Sequence, residues 1–211
     1  MPNTFQGFPT VPRLPWDDFY FNTWFESLDG IGKGFQGDSE ACLNGLAIRL
    51  WSGIILDSYY NVWKWPLAPS PVLSWDKKRE FRTSVRFASF VDECAVGWVT
   101  SGYCDIDHAL GFKYLNGKLF AHTSNGSAET NVELVDFGAG PINVTCRLKL
   151  VYLPGLSCQF FVNDVLLATI TTTLPAGLTY ADLPFYLMSG CNKAGSGLDL
   201  YCSLISVWQE Y

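Results

Sequence analysis

Gly111-Phe112-Lys113-Tyr114-Leu115-Asn116-Gly117-Lys118-Leu119-Phe120-Ala121 holds one Asn-Gly dipeptide between two runs in which apolar and polar side chains tend to alternate. Asn-Gly suits the centre of a type I′ turn, where both residues need positive φ, and that turn joins adjacent antiparallel strands. The expectation is a hairpin of Ala109–Leu115 with Lys118–Thr123, with Tyr114 opposite Leu119 and Phe112 opposite Ala121. The same period of two continues on both sides. Phe81, Thr83, Val85, Phe87, Ser89 and Val91 alternate with Arg82, Ser84, Arg86, Ala88 and Phe90, the pattern of a long strand with one buried face. Val144, Cys146, Leu148, Leu150 and Tyr152 alternate with Thr145, Arg147 and Lys149, and Pro154-Gly155 turns the chain into Cys158, Phe160 and Val162. Asn163-Asp164 turns it again, and Leu198–Trp208 reads as a final strand. No apolar stripe of period 3.6 runs for any length, so very little helix is expected. Short strands with regular turns predict an all-β fold, a two-sheet antiparallel β-sandwich or jelly roll. Its inward residues would include Phe81, Val85, Phe87, Leu148, Leu150, Phe160 and Val162.

The chain has 211 residues, enough to bury a core without metals or staples. Its 48% hydrophobic content excludes disorder. Its 16% charged content lies below the roughly 25% of an average domain, so less surface than usual carries charge. A net charge of −6 argues against a nucleic-acid partner, which demands a basic footprint. No apolar run reaches the roughly 18 residues of a membrane span, and Met1–Gln6 has neither the basic nor the apolar region of a signal peptide.

Residues 1–25 differ in character. Pro2, Pro9, Pro12 and Pro15 forbid a helix, and Trp16, Phe19, Tyr20 and Trp24 would not sit in water. They are expected to form an arm lying on the chain's own domain or on a neighbouring subunit, with the sandwich occupying 26–211 and self-association following from the arm.

Seven cysteines, Cys42, Cys94, Cys104, Cys146, Cys158, Cys191 and Cys202, show no C-x-x-C and no zinc spacing. Two readings stay open: small buried hydrophobes, or disulfides with Cys94/Cys104 and Cys191/Cys202 as the sequence-near pairs. Trp51, Trp63, Trp65, Trp75, Trp98 and Trp208 are read chiefly as core. Tyr59, Tyr60, Trp63 and Trp65 belong to a stretch whose aromatics mix with polar groups beside proline, a surface on which sugars stack or partners dock. Arg82 and Arg86 share the outer face of one strand, either solvated or facing an anionic sugar or a subunit. His122, in the hairpin, is read as a surface or hydrogen-bonded core residue.

Gly111–Ala121, the run Arg147-Leu148-Lys149-Leu150-Val151-Tyr152-Leu153-Pro154-Gly155, the hairpin Phe160-Phe161-Val162-Asn163-Asp164-Val165 and the closing Leu174-Pro175-Ala176-Gly177 together resemble the concanavalin A-like lectin and glucanase superfamily. The resemblance is nearest to laminin-G-like modules and covers roughly residues 25–210, departing at Asp164, where that family usually has Gly. It implies a lectin-like sandwich. Such modules serve as lectins, adhesion domains, glycosidase domains and structural or receptor-binding proteins of viruses. A glycosidase of this kind should align acids at alternating positions on one strand, two of them roughly 5–9 Å apart. Asp105-Ile106-Asp107-His108 is the nearest run and lacks a Glu, while Asp92 and Glu93 would point to opposite faces. No hydrolysis is therefore expected, and no cofactor. Asp105 and Asp107 are only weak metal candidates, too few for a calcium cage. The expected role is a non-enzymatic structural or receptor-binding virion protein, on a virion or extracellular surface, engaging a glycan or cell-surface receptor. The alternatives are a free carbohydrate-binding lectin or a cytoplasmic location.

Overall fold

In a computed structural model, the described residues are 18–24, 32–36, 40–44, 47–51, 59–64, 73–89, 93–99, 108–138, 142–176, 180–181, 185–190 and 199–210. They form strands and turns without helix. In chain order the strands are β1 (Asp18–Trp24), β2 (Gly32–Gln36), β3 (Glu40–Asn44), β4 (Ala47–Trp51), β5 (Tyr59–Lys64) and β6 (Leu73–Ser74). There follow β7 (Arg79–Ser89), β8 (Glu93–Val99), β9 (His108–Leu115), β10 (Lys118–Asn125), β11 (Glu129–Asp136) and β12 (Ile142–Leu153). The last are β13 (Ser157–Val162), β14 (Val165–Ile170), β15 (Tyr180–Ala181), β16 (Phe185–Gly190) and β17 (Asp199–Glu210).

Two large antiparallel sheets result, and β6 and β15 form a separate two-stranded pair. One runs β14-β13-β12-β7-β17-β4-β3, with β1 also on β17, and the other runs β11-β10-β9-β8-β16-β5-β2. The Asn116-Gly117 hairpin forms in the expected register, Tyr114 opposite Leu119 and Phe112 opposite Ala121, with φ of 52° and 83° at the turn. Asn163 and Asp164 also take positive φ, 50° and 69°. Asp164 tolerates a conformation that favours glycine while its carboxylate sits 2.6 Å from the Arg147 guanidinium.

The core lies between the sheets. Phe81, Val85 and Phe87 of β7, Leu148 and Leu150 of β12, and Phe160 and Val162 of β13 are buried as the alternation requires. They meet Leu110, Phe112, Tyr114 and Leu119 of the opposing sheet. Phe87 stacks on Tyr114 with ring centroids 4.8 Å apart, and Phe112 meets Phe160 edge-on at 5.4 Å, so aromatic pairs tie one sheet to the other. At one end Tyr152 holds the carbonyls of Trp75 (2.8 Å) and Pro175 (2.5 Å), and the buried Arg79 guanidinium lies 4.4 Å from the centre of the Trp75 ring. Burial pushes the Arg79 pKa down to about 9, which still leaves it charged at neutral pH.

β17 departs from simple alternation. A bulge between Cys202 and Leu204 shifts its phase, so that Leu200 and Cys202 point inward on one side of it and Ile205, Val207 and Gln209 on the other. Unbroken alternation from Leu200 would put Trp208 in the core; the bulge turns it to the outer face instead. At the same point the neighbour on the far edge of β17 changes: β4 pairs with Asp199–Cys202 and β1 with Leu204–Glu210.

Cys146, Cys158 and Cys202 are free buried thiols. The proposed Cys191/Cys202 bridge is thereby corrected. The Cys202 sulfur sits 3.1 Å from the Thr83 hydroxyl in the core and so behaves as a small buried hydrophobe. Cys104 and Cys191 lie outside the described residues, and for Cys42 and Cys94 only the strand positions are described.

Candidate functional site

The outer face of the eight-stranded sheet follows from the strands that build it. Because inward residues alternate with outward ones, Glu80, Arg82, Ser84 and Arg86 of β7 face away from the core, as do Arg147 and Lys149 of β12 and Arg49 of β4. Backbone register then sets these side chains beside one another. Arg86 lies opposite Thr145 on one side and Tyr201 on the other, and Tyr201 lies opposite Arg49. Two residues along, Ser84 pairs with Arg147. Two further, Arg82 pairs with Lys149, which pairs with Phe161, which pairs with Leu166.

Side-chain contacts fill this grid with cations resting on rings or acids. The Arg86 guanidinium carbon lies 3.9 Å from the centre of the Tyr201 ring, and the Lys149 ammonium 3.9 Å from that of Phe161. Lys78 reaches Trp208 at 5.8 Å. Such contacts contribute about 0.5–1 kcal/mol when exposed and about 2 when desolvated. Arg49 makes a two-pronged bond to Asp199, its Nε at 2.9 Å from Oδ1 and a terminal nitrogen at 3.1 Å from Oδ2. Arg82 pairs with Glu80, and Arg147 with Asp164 at 2.6 Å. These are partly exposed ion pairs, worth little to stability on their own. Their effect is to hold planar guanidinium groups in fixed orientation, and a guanidinium is a fork of donors suited to carboxylate, sulfate or paired hydroxyls.

Arg82 and Arg86, singled out in the sequence, thus fall on this face together. Tyr59, Tyr60 and Trp63 do not join them: they lie in β5, between β16 and β2 of the opposite sheet. Trp65 lies outside the described residues, as do Trp16, Asp105 and Asp107. Phe19, Tyr20 and Trp24 belong to β1, which pairs with the chain's own β17, Tyr20 opposite Trp208. Trp208, read as core, is partly buried on the outer face beside Lys78. His122 is 3% exposed, with Nδ1 at 2.8 Å from the Asn131 side-chain oxygen and 4.0 Å from a Glu129 carboxylate oxygen, so of its two readings, surface or hydrogen-bonded core, it takes the second. No cluster of three metal-ligating side chains occurs among the described residues. The sequence reading missed Arg49, Tyr201 and the Asp199 pair. Period two alone places Arg147 and Lys149 outward, but only the long-range pairing of β17 with β7 and β4 brings Tyr201 and Arg49 to Arg86.

No protein-family model matches this sequence, and no curated protein matches it in sequence. Solved structures do match the fold. A protein of unknown function from Shewanella oneidensis MR-1 superposes with a TM-score of 0.64 at 16% identity, over 92% of this chain and 87% of that one. The carbohydrate esterase of the Shiga toxin-encoding bacteriophage phi24B gives 0.56 at 14% identity, over 87% of this chain and 92% of its own. The potassium-bound carbohydrate recognition domain of Emp46p gives 0.57 at 10% identity, over 85% of this chain and 88% of its own. The likeness is one of fold, a two-sheet antiparallel β-sandwich.

Proposed function

We propose that this chain is a non-catalytic glycan-recognition module, and that the outer face of the eight-stranded sheet is its binding surface. The observation that carries the proposal is the cross-strand grid in which Arg86, Arg49 and Lys149 are fixed by Tyr201, Asp199 and Phe161. Sugars are bound by planar donors held in place before the ligand arrives, because ordering costs are then already met. Support from outside the chain comes from the carbohydrate recognition domain and the carbohydrate esterase that share the fold. The setting we infer is a virion or extracellular surface on which many copies of a weak site act together, and the low charged fraction and aromatic N-terminal residues fit such an assembly. A laminin-G-like module is the finer family assignment, on the motifs of residues 111–121 and 147–165.

A glycan panel read by isothermal titration tests the surface. Arg86→Gln should weaken binding by about 1–3 kcal/mol, the range of a contact hot spot, while Tyr60→Ala and Trp63→Ala leave it unchanged. The reverse pattern would move the site to β5. Hydrolysis of any panel member by the purified protein would overturn the non-catalytic assignment.

A further inference from the structure

Resting on that reading, we infer that the ligand is an acidic oligosaccharide carrying carboxylate or sulfate on more than one sugar. The cations of this face divide into two kinds. Arg49, Arg82 and Arg147 each have a carboxylate beside them: Asp199, Glu80 and Asp164. Arg86 and Lys149 have ring faces instead, and among the described residues neither is paired with an acid. The Arg86 Nε is shielded from solvent and has no hydrogen-bond partner among the described residues. An aromatic face attracts a cation but cancels none of its charge. These two positions therefore carry net positive charge on a protein whose total is −6.

Their spacing sets the size of the ligand. Arg86 pairs with Thr145 and Lys149 with Arg82, so the two basic residues stand one strand and four residues apart. With strands about 4.8 Å apart and about 3.4 Å of rise per residue, their Cα atoms are about 14 Å apart. That exceeds one sugar ring and calls for a chain with acid groups on separate residues. Between them lie Ser84 and the paired Arg147. The interspersed carboxylates Glu80, Asp164 and Asp199 decide against the other common polyanion. Sugar hydroxyls can donate to these acids, whereas a phosphodiester backbone offers them no donor and is repelled.

The test is titration of the full chain at low ionic strength with a hexamer of galacturonate, its fully methyl-esterified form, a chondroitin sulfate hexasaccharide, a neutral glucan hexamer and a single-stranded DNA 12-mer. The expected result is that at least one acidic oligosaccharide binds tenfold or more tighter than the ester and the glucan. Arg86→Gln and Lys149→Gln should each weaken that binding at least fivefold and change binding of the ester less than twofold. Because esterification alters only the ligand, the test survives a variant that folds poorly. Equal binding of galacturonate and its ester, with no preference for the sulfated chain, would overturn the charge inference and leave glycan recognition standing. DNA binding as tightly as the acidic sugars would overturn it in favour of a general polyanion site. Failure of every saccharide to bind would overturn both readings.

Discussion

Burial fixes the chemistry of three cysteines. Desolvation of the thiolate pushes Cys146 up to about 11 and Cys202 up to about 12, and Cys158 well above its ordinary value. All three are thiols at pH 8. Iodoacetamide, which reacts with thiolate, should leave them unmodified in the folded protein and label them in urea, as peptide mass spectrometry would report. Labelling of any of the three at the unfolded rate would contradict the core described above. The sign of the pH effect follows. Each native value exceeds the unfolded one, so the folded state holds its thiol protons longer. The resulting stabilisation is whole below the ordinary thiol value and is lost as pH rises through about 11 for Cys146 and about 12 for Cys202. The melting temperature should fall across that window, and less so in Cys146→Ala. Individual residues were legible from sequence wherever alternation ran unbroken, as at Phe81, Val85, Leu148 and Phe160. Trp208 was not, because the bulge near Ser203 changes the phase of β17 and leaves no mark in composition.

Among the strands, β1 makes the most direct prediction. It covers the edge of β17 from Leu204 to Glu210, which would otherwise present unpaired backbone groups. Deleting residues 1–24 should cost on the order of 3 kcal/mol, a few ladder hydrogen bonds at about 1 kcal/mol each. It should also lower the melting temperature and promote association measurable by light scattering. An unchanged melting temperature and mass would make this segment a dispensable tail. The prolines and aromatics of residues 1–25 announced docking, but they gave no hint that Asp18–Trp24 would pair as a strand, since the segment's alternation is weak. The Asn116-Gly117 hairpin was legible to the residue because its register is fixed locally by the turn. The order of strands within each sheet was not, because it depends on partners far apart in the chain, β7 beside β17 above all.

Among the described residues, cations are concentrated on one face. Lys78, Arg49, Arg82, Arg86, Arg147 and Lys149 gather on the outer face of the eight-stranded sheet, outnumbering the Glu80, Asp164 and Asp199 carboxylates among them, while Glu129, Glu133 and Asp136 lie along β11, at the edge of the other sheet, the last two beside Lys118. Despite a pI near 4.8, the protein should be retained on a sulfopropyl resin at pH 7 at low salt. It should elute as salt approaches 0.1 M, where the screening length is about 10 Å. Retention should drop in the Arg86→Gln, Lys149→Gln double variant, and flow-through of the parent protein would show that the patch is too weak to act at a distance.

The central place of β17 in its sheet has a consequence for biosynthesis. Residues 199–210 fill the gap between β7 on one side and β4 and β1 on the other. Until they leave the ribosome, the emerging chain holds three strands with no neighbour along those edges. The sandwich therefore closes only after the greater part of its sequence has been made, and the nascent protein spends that interval with adhesive edges exposed. The same arrangement makes the molecule separable: a fragment ending before residue 199 should be prone to precipitate, and a synthetic peptide of residues 199–210 should slot into it and restore solubility, a ready-made split reporter.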